Sequence, residues 1–210
     1  MAERLLLGSA SPRRHELLAR SGVAFDAVVA DIDESLLVGP DPATSAARIA
    51  RAKYDALAET PAALGRLLLT ADTMVGHDGQ PLGKPSDRAH AESMLLAVSG
   101  ATLDIASAVC FGRAPSRPES RVVVTRVTLR ELDPAEIRDY VESGAADDKA
   151  GALELQGRAG NFMTSVDGCW PNVVGLPTCV VEAMLRGDEP AAVDAAIAMC
   201  SGAGCGVERQ

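Results

Sequence analysis

Hydrophobic and polar positions follow two different periodicities along the chain, and this pattern predicts an α/β protein. Segments with apolar residues at helical spacing are expected to form helices, and short apolar or alternating runs are expected to form strands. The predicted helices are Arg13–Ser21, Ala43–Glu59, Arg88–Val98, Pro134–Ser143 and Glu189–Cys200. The predicted strands are Arg4–Leu7, Phe25–Ala30, Arg66–Val75, Leu103–Phe111, Arg121–Leu129 and Asn161–Val166. Because helices and strands interleave, we expect a twisted sheet flanked by helices.

The connections and the length refine this expectation. The polar, proline-rich segment Arg113–Ser120 joins two predicted strands, so these strands are expected to pair antiparallel within a mixed sheet. His77-Asp-Gly79 is a turn signal that brings the chain round toward Lys84. Residues 1–200 are expected to form a single domain of two lobes, and residues 201–210 a flexible C-terminal tail.

Composition and charge exclude several classes of protein. The formal net charge is −9 and aromatic residues make up 3% of the chain, which argues against a nucleic-acid polymer as partner. The five cysteines have no metal-type spacing and fit free thiols in a reducing compartment. The apolar run at Leu5–Leu7 stops at Gly8, and no stretch approaches the length of a membrane span. A cytoplasmic protein without a membrane partner is therefore expected.

The start of the first predicted helix carries an unusual pair of charges. Ser11 can act as N-cap and Pro12 as the first helical residue, which places Arg13 and Arg14 in the first turn. Cations at a helix N-terminus are disfavoured by roughly 0.3–1 kcal/mol each. The two arginines therefore stand where the field of the helix repels them.

Lysine is rare in this chain, with three lysines against seventeen arginines. The ammonium groups of Lys53, Lys84 and Lys149 are compact point charges of the kind that suits phosphate oxygens, whereas arginine favours planar partners. A composition rich in arginine would also leave a few lysines at random positions. Both interpretations stay open on this observation alone.

Two acidic sites stand next to predicted strands. Asp72 directly follows a buried apolar run, at the strand end where ligand-facing residues of α/β proteins gather, although an isolated acid there more often caps a loop. The segment Asp31–Ser35 fits a solvated loop, but its carboxylates are also ligands that Mg²⁺ uses together with substrate phosphates. The histidines have no zinc-type spacing, and no P-loop, GxGxxG or GxSxG motif is present.

Short strings of residues, taken in order and spacing, resemble the Maf family of nucleoside triphosphate pyrophosphatases. The resemblance extends from about residue 4 to about residue 186. The strings are Gly8-Ser-Ala-Ser-Pro-Arg-Arg14, Glu16-Leu-Leu18, Ala30-Asp-Ile-Asp-Glu-Ser35, Ala52-Lys53, Ala71-Asp-Thr-Met-Val75, Leu82-Gly-Lys-Pro85, Met94-Leu95, Ser99-Gly100, Asp148-Lys-Ala-Gly151, Gln156-Gly157 and Asn172-Val-Val-Gly-Leu-Pro177.

The resemblance implies an α/β fold of the Maf and ITPase type, with a deep cleft between two lobes, and a homodimer. It also implies metal-dependent hydrolysis of a nucleoside triphosphate to the monophosphate and pyrophosphate. The metal implied is Mg²⁺, with Mn²⁺ or Co²⁺ as alternatives. Names given to members of this family often mention septum formation.

The resemblance further implies roles for particular residues. Asp72 matches the catalytic acid that activates water, and Glu34 matches an acid in metal binding or catalysis, so both are expected metal ligands. Lys53 and Lys84 match phosphate-binding lysines. The expected substrate-binding residues are Ser9, Arg13, Arg14, Thr73, Lys149 and Gln156. A bound triphosphate would offset the penalty of placing two arginines at a helix N-terminus.

Within the family, Lys149 and Gln156 resemble the branch that acts on dTTP and UTP. A glutamine amide offers one donor and one acceptor, which suits the edge of uracil or thymine. Activity on 7-methyl-GTP or another modified nucleotide is the alternative within the enzyme class.

Three positions depart from the family pattern. Ala145 stands where the family commonly has a glutamate, Leu103 where a histidine is frequent, and Leu153 where an aromatic residue is usual. Loss of the glutamate is the argument for a third hypothesis, a regulator of cell division that binds nucleotide without hydrolysing it. Retention of Asp72, Lys53 and Lys84 argues against that hypothesis.

Overall fold

The computed structural model describes residues 3–188 and residue 195, and seven strands with flanking helices make up its architecture. The strands are β1 (Leu5–Gly8), β2 (Phe25–Val28), β3 (Leu67–His77), β4 (Gln80–Leu82), β5 (Thr102–Arg113), β6 (Glu119–Leu129) and β7 (Met163–Asp167). The α-helices are α1 (Pro12–Arg20), α2 (Pro42–Ala58), α3 (Arg88–Ala97), α4 (Pro134–Glu142), α5 (Trp170–Val174) and α6 (Thr178–Arg186). Short 3₁₀ helices lie at Glu34–Leu37, Ala150–Ala152 and Arg158–Phe162.

The strands form one mixed sheet in the order β2-β1-β3-β5-β6-β7, with β4 paired to β3. Strand β1 is parallel to both β2 and β3, whereas β5 is antiparallel to β3 and β6. The predicted α/β class, the mixed sheet and the antiparallel pair around the proline-rich loop are therefore confirmed. The predicted turn before β4 is also confirmed, since Asp78 and Gly79 have φ of 50° and 75° and connect the paired residues His77 and Gln80.

Alternating side chains of β1 bury opposite faces of the sheet, as the pleat of a strand requires. Leu5 and Leu7 join an apolar cluster with residues of α1 and α6. Leu6 points the other way and packs in a second cluster with Tyr54 and other residues of α2. Helices on both faces therefore cover this end of the sheet.

A third apolar cluster covers the other end of the long strands. It contains Leu95 of α3, Ile137 of α4 and Leu103 and Ile105 of β5. Strand β3 connects the two ends, because its Leu69 belongs to the cluster with α1 whereas its Val75 belongs to the cluster with α3 and α4. The fold therefore has two regions on one sheet, and a cleft lies where they meet.

Some predicted elements differ from those observed. The strand predicted at Asn161–Val166 begins at Met163, because the chain before it forms a 3₁₀ helix. Helices α5 and α6 were not predicted; neither has a side-chain N-cap bond, so the usual start signal is missing. The helix predicted at Glu189–Cys200 and the predicted tail lie outside the described residues, apart from residue 195. None of the helices in the described part of the chain is long and apolar enough to cross a bilayer.

Close packing of α2 against β3 makes Gly76 intolerant of a side chain. A Cβ at Gly76 would lie 2.0 Å from Cγ of Pro42 and 3.1 Å from the carbonyl oxygen of Gln80. We expect Gly76→Ala to lower the free energy of unfolding by about 1–3 kcal/mol, as overpacking does. The matched control is Gly83→Ala, whose Cβ would meet nothing within 4 Å. Urea unfolding curves that show the same stability for both variants would contradict this account of the α2–β3 contact.

Candidate active site

A buried ion pair joins the centre of β3 to helix α2. The prediction that Asp72 stands at a strand end is wrong, because β3 continues past it to His77. Lys53 Nζ lies 2.7 Å from Oδ1 of Asp72, and the two residues are 9% and 7% exposed. The same Nζ lies 2.7 Å from Oε1 of Glu34, whose side chain is half exposed at the start of its 3₁₀ helix. One ammonium therefore holds two carboxylates, one from inside the protein and one from its surface.

Burial sets the electrostatics of this cluster. Burial raises the pKa of Asp72, and the positive charges of Lys53 and Arg14 only partly oppose that effect. Burial also lowers the pKa of the Arg14 guanidinium, which the charges of Asp72 and Glu34 partly restore. Asp72 is thus a more basic carboxylate than an exposed aspartate, and it stands in the field of two cations.

Helix α1 delivers Arg14 to this region. Ser11 accepts a hydrogen bond from the backbone N–H of Arg14 at 3.5 Å and Pro12 is the first helical residue, so the predicted N-cap is confirmed. Arg14 then donates from Nε to the carbonyl oxygen of Gly175 at 2.9 Å. It also donates to Oγ1 of Thr73 at 3.1 Å and to Oγ of Ser9 at 3.4 Å. The guanidinium is therefore fixed by groups from three segments.

A cleft of about 190 Å³ opens beside Arg14. Arg13, Arg14 and Thr73 line part of it. Another part is lined by side chains from residues 148–156, among them Lys149 and Gln156, and this segment is called the far wall below. The other residues that line the cleft are mostly apolar and include Val75, Ile105, Leu153, Leu155 and Val173. This volume is below the ~300 Å³ at which pockets begin to enclose a drug-sized ligand. The cleft can therefore hold a part of a ligand, such as a flat ring, while the remainder extends outside it.

Comparison with known proteins decides the family. The family model described as Maf-like protein matches residues 4–187. The chain belongs to this family. A relative from Syntrophomonas wolfei subsp. wolfei, named dTTP/UTP pyrophosphatase, is 44% identical over 182 residues, which cover 85% of this chain and 94% of the relative. A relative of the same name from Anaeromyxobacter dehalogenans strain 2CP-1 is 44% identical over 189 residues, with 89% and 94% covered. A third of that name, from Geobacter sp. strain M21, is 42% identical over 183 residues, with 87% and 94% covered.

The structure divides the predicted site residues of this Maf-like protein into three groups. Glu34, Lys53 and Asp72 form the ion-pair cluster, and Arg14 bonds to Ser9 and Thr73 within electrostatic range of it. Residues Arg13, Lys149 and Gln156 line the cleft. Lys84 is exposed on the loop after β4 and makes no ion pair with any residue in the described part of the chain. That loop is tied to the cleft wall because Gly83 O accepts the N–H of Gly151 at 2.9 Å.

Sequence reasoning missed several groups that shape the site. Ser107 is fully buried in β5, and its Oγ lies 2.7 Å from Oγ1 of Thr73. Glu154, which lies between the cleft-lining residues Leu153 and Leu155, accepts a hydrogen bond at 3.1 Å from Nη2 of Arg13. The carbonyl of Gly175 holds Arg14. A single polar residue inside the apolar run of β5 was the available signal for Ser107, whereas no local pattern indicates the other two.

The charge on Lys53 is expected to control the ionisation of Asp72. Replacing Lys53 by Gln removes the cation bonded to Oδ1, so the pKa of Asp72, already raised by burial, should rise further. The control is Arg51→Gln on the same helix, where the arginine pairs with the exposed Asp55 at 2.8 Å. Carboxyl-carbon NMR titration measures the effect directly. An unchanged or lower pKa of Asp72 in the Lys53 variant would disprove the coupling.

Proposed function

We propose that this protein hydrolyses a nucleoside triphosphate, dTTP or UTP, to the nucleoside monophosphate and pyrophosphate. The observation that carries the proposal is the buried Asp72 carboxylate, which is held by Lys53 and lies in the field of Arg14. It stands beside a cleft whose far wall carries Lys149 and Gln156. The name shared by relatives at 42–44% identity supports the same activity and the same bases.

In the proposed reaction, Asp72 acts as the general base. A water molecule attacks the α-phosphorus, the proton of that water passes to Asp72, and the bond to the bridging oxygen breaks to release pyrophosphate. The raised pKa suits this role, because a carboxylate that binds protons more strongly is a better base near neutral pH. Lys53 keeps one carboxylate oxygen in a fixed direction through its bond to Oδ1.

Cations supply the second requirement, which is neutralisation of phosphate oxygens during displacement. Arg14 is fixed in advance by Ser9, Thr73 and Gly175, so little reorganisation is needed when charge develops. Arg13 stands in the same first turn of α1 and lines the cleft. Lys84 is exposed on its loop and makes no ion pair among the described residues, so its ammonium is available to a phosphate group. A polyanion bound here would offset the unfavourable position of both arginines at a helix N-terminus.

Glu34 and Asp72 are the proposed ligands of a divalent cation, Mg²⁺ with Mn²⁺ or Co²⁺ as alternatives. Their oxygens both lie within 2.7 Å of Lys53 Nζ, so they are near one another. No group of three or more metal-binding side chains occurs among the described residues. Two carboxylates fit Mg²⁺, which is commonly held by one or two carboxylates together with substrate phosphates. When bound, such an ion would polarise the phosphate oxygens.

Base recognition is assigned to the far wall of the cleft. The Gln156 amide is exposed to the cleft and can both donate and accept, which matches the adjoining carbonyl and N–H groups of uracil and thymine. Apolar side chains such as Leu153 and Val173 offer faces for a planar ring. Lys149, which donates to the carbonyl of Asp147 at 3.2 Å, completes this wall. The homodimer implied by the family resemblance and the cytoplasmic location expected from the sequence both stay predictions.

Removing the charge of Asp72 should abolish turnover. We expect Asp72→Asn to lose at least ~10²-fold in kcat, because the general base is lost without added bulk, while dTTP affinity changes little. The matched control is Asp78→Asn, since Asp78 lies on the exposed β3–β4 turn and its side chain is 89% exposed. Pyrophosphate release is measured with and without Mg²⁺, Mn²⁺ and Co²⁺. Near wild-type turnover in the Asp72 variant would refute its assignment.

A nucleotide panel tests the base preference. Wild-type protein should have a higher kcat/KM for dTTP and UTP than for 7-methyl-GTP, and Gln156→Ala should raise KM for dTTP about fivefold, the effect of one hydrogen bond. Gln80→Ala is the control, because Gln80 is the exposed first residue of strand β4. A preference for 7-methyl-GTP would favour the other branch. Binding without any pyrophosphate release would favour a non-catalytic regulator, and release of orthophosphate would place the cleavage at a different bond.

A further inference from the structure

Tyr140 connects two segments of the cleft wall through one hydroxyl group. This residue of α4 is 2% exposed, and its ring meets Phe162 edge-on with centroids 5.1 Å apart. Its hydroxyl accepts the backbone N–H of Glu154 at 2.8 Å and donates to the carbonyl oxygen of Ala145 at 3.3 Å. Burial raises the pKa of the Tyr140 hydroxyl, so it keeps the proton that it donates. The hydroxyl therefore accepts one hydrogen bond and donates another, and both partners are backbone groups outside the helices and strands.

The two segments carry the residues assigned to the far wall. Leu153, Leu155 and Gln156 line the cleft, and Glu154 lies among them in the chain. Ala145 lies within the turn at residues 143–148, which leads to Lys149. Neither segment is part of the sheet, so its position depends on contacts other than a strand ladder.

The backbone between these two anchors is constrained. Asp148 and Ala152 have φ of 56° and 59°, the left-handed region that residues with a Cβ avoid. Such conformations persist where the surrounding structure holds them. The bonds to Tyr140 fix the chain on both sides of this stretch, at Ala145 before it and at Glu154 after it.

Glu154 also contacts helix α1. The Glu154 side chain accepts a hydrogen bond from Arg13 of α1 at 3.1 Å, while the Glu154 backbone is held by Tyr140. The segment before Gln156 is therefore tied to α4 on one side and to the first turn of α1 on the other. Tyr140 itself is not among the residues that line the cleft.

We propose that Tyr140 is a positioning residue for base recognition: its hydroxyl, through Glu154 and Ala145, holds Gln156 and Lys149 where they meet the nucleotide. This inference rests on the proposed function, because it assigns the far wall to the base. It predicts that loss of the hydroxyl weakens nucleotide binding and selectivity while the chemistry at Asp72 is retained.

The chain contains two tyrosines, and the other provides a matched control. Tyr54 is 1% exposed, and its hydroxyl donates to the carbonyl oxygen of Ser116 at 3.0 Å in a different apolar cluster. Tyr140→Phe and Tyr54→Phe thus each remove one oxygen atom from a buried ring. We expect Tyr140→Phe to raise KM for dTTP about five- to tenfold and to reduce the preference for dTTP over 7-methyl-GTP, with kcat within about twofold. Tyr54→Phe should change neither.

Hydrogen exchange supplies a measurement that does not depend on turnover. In Tyr140→Phe, the amides of residues 150–157 should exchange at least about tenfold faster than in wild-type protein, because the Glu154 N–H loses its acceptor. Glu154→Gln weakens only the side-chain contact with Arg13 and should keep the protection of the Glu154 amide.

These outcomes decide the proposal. The proposal is overturned if KM and selectivity are unchanged in Tyr140→Phe, or if both tyrosine variants show equal losses. It is also overturned if Tyr140→Phe fails to fold, because the hydroxyl would then serve global stability. If wild-type protein releases no pyrophosphate, the proposed function fails. The role of Tyr140 is then tested by the affinity for dTMP. A five- to tenfold loss of affinity in Tyr140→Phe, about the effect of one hydrogen bond, would support that role. If the wild-type protein neither releases pyrophosphate nor binds dTMP measurably, both the proposed function and the role of Tyr140 are overturned.

Discussion

The buried pair of Lys53 and Asp72 is the interaction on which the remaining site depends. Removing two charges from water is costly, and the cost is met only when each charge has a close partner. Packing of α2 on β3 provides that partner at 2.7 Å and keeps both groups more than nine-tenths buried. Burial makes the ion pair necessary, and burial also raises the pKa of Asp72. The need for Lys53 as a partner and the greater basicity of Asp72 therefore have the same cause.

Arg14 is a second buried charge with close partners, and it lines the cleft. Its guanidinium is buried and fixed by Ser9, Thr73 and Gly175, which lie far apart in the chain. The orientation of the cation is therefore set during folding rather than during ligand binding, which is the arrangement that electrostatic stabilisation of a polyanion requires. The far wall differs, because it consists of irregular backbone that is held by individual hydrogen bonds: the Glu154 N–H donates to Tyr140, the Gly151 N–H donates to Gly83, and Arg13 donates to the Glu154 side chain.

Local patterns in the sequence were sufficient for much of the fold. The short apolar run became β1, the proline-rich loop joined an antiparallel pair, and Ser11 with Pro12 began α1. Each of these depends on neighbours within a few residues. Helices α5 and α6 were missed because they lack side-chain caps, and the chain before β7 became a 3₁₀ helix where a strand was predicted.

The sequence by itself determined the family, the α/β class and the identities of the charged groups, because these depend on residue type, order and local spacing. The tertiary structure alone decided which groups meet. Arg13 and Glu154 are 141 positions apart, and Thr73 and Ser107 are 34 apart, yet each pair is within hydrogen-bonding distance. Contacts of this kind follow from strand register and helix packing, in which a small displacement separates partners, and no short stretch of residues encodes them.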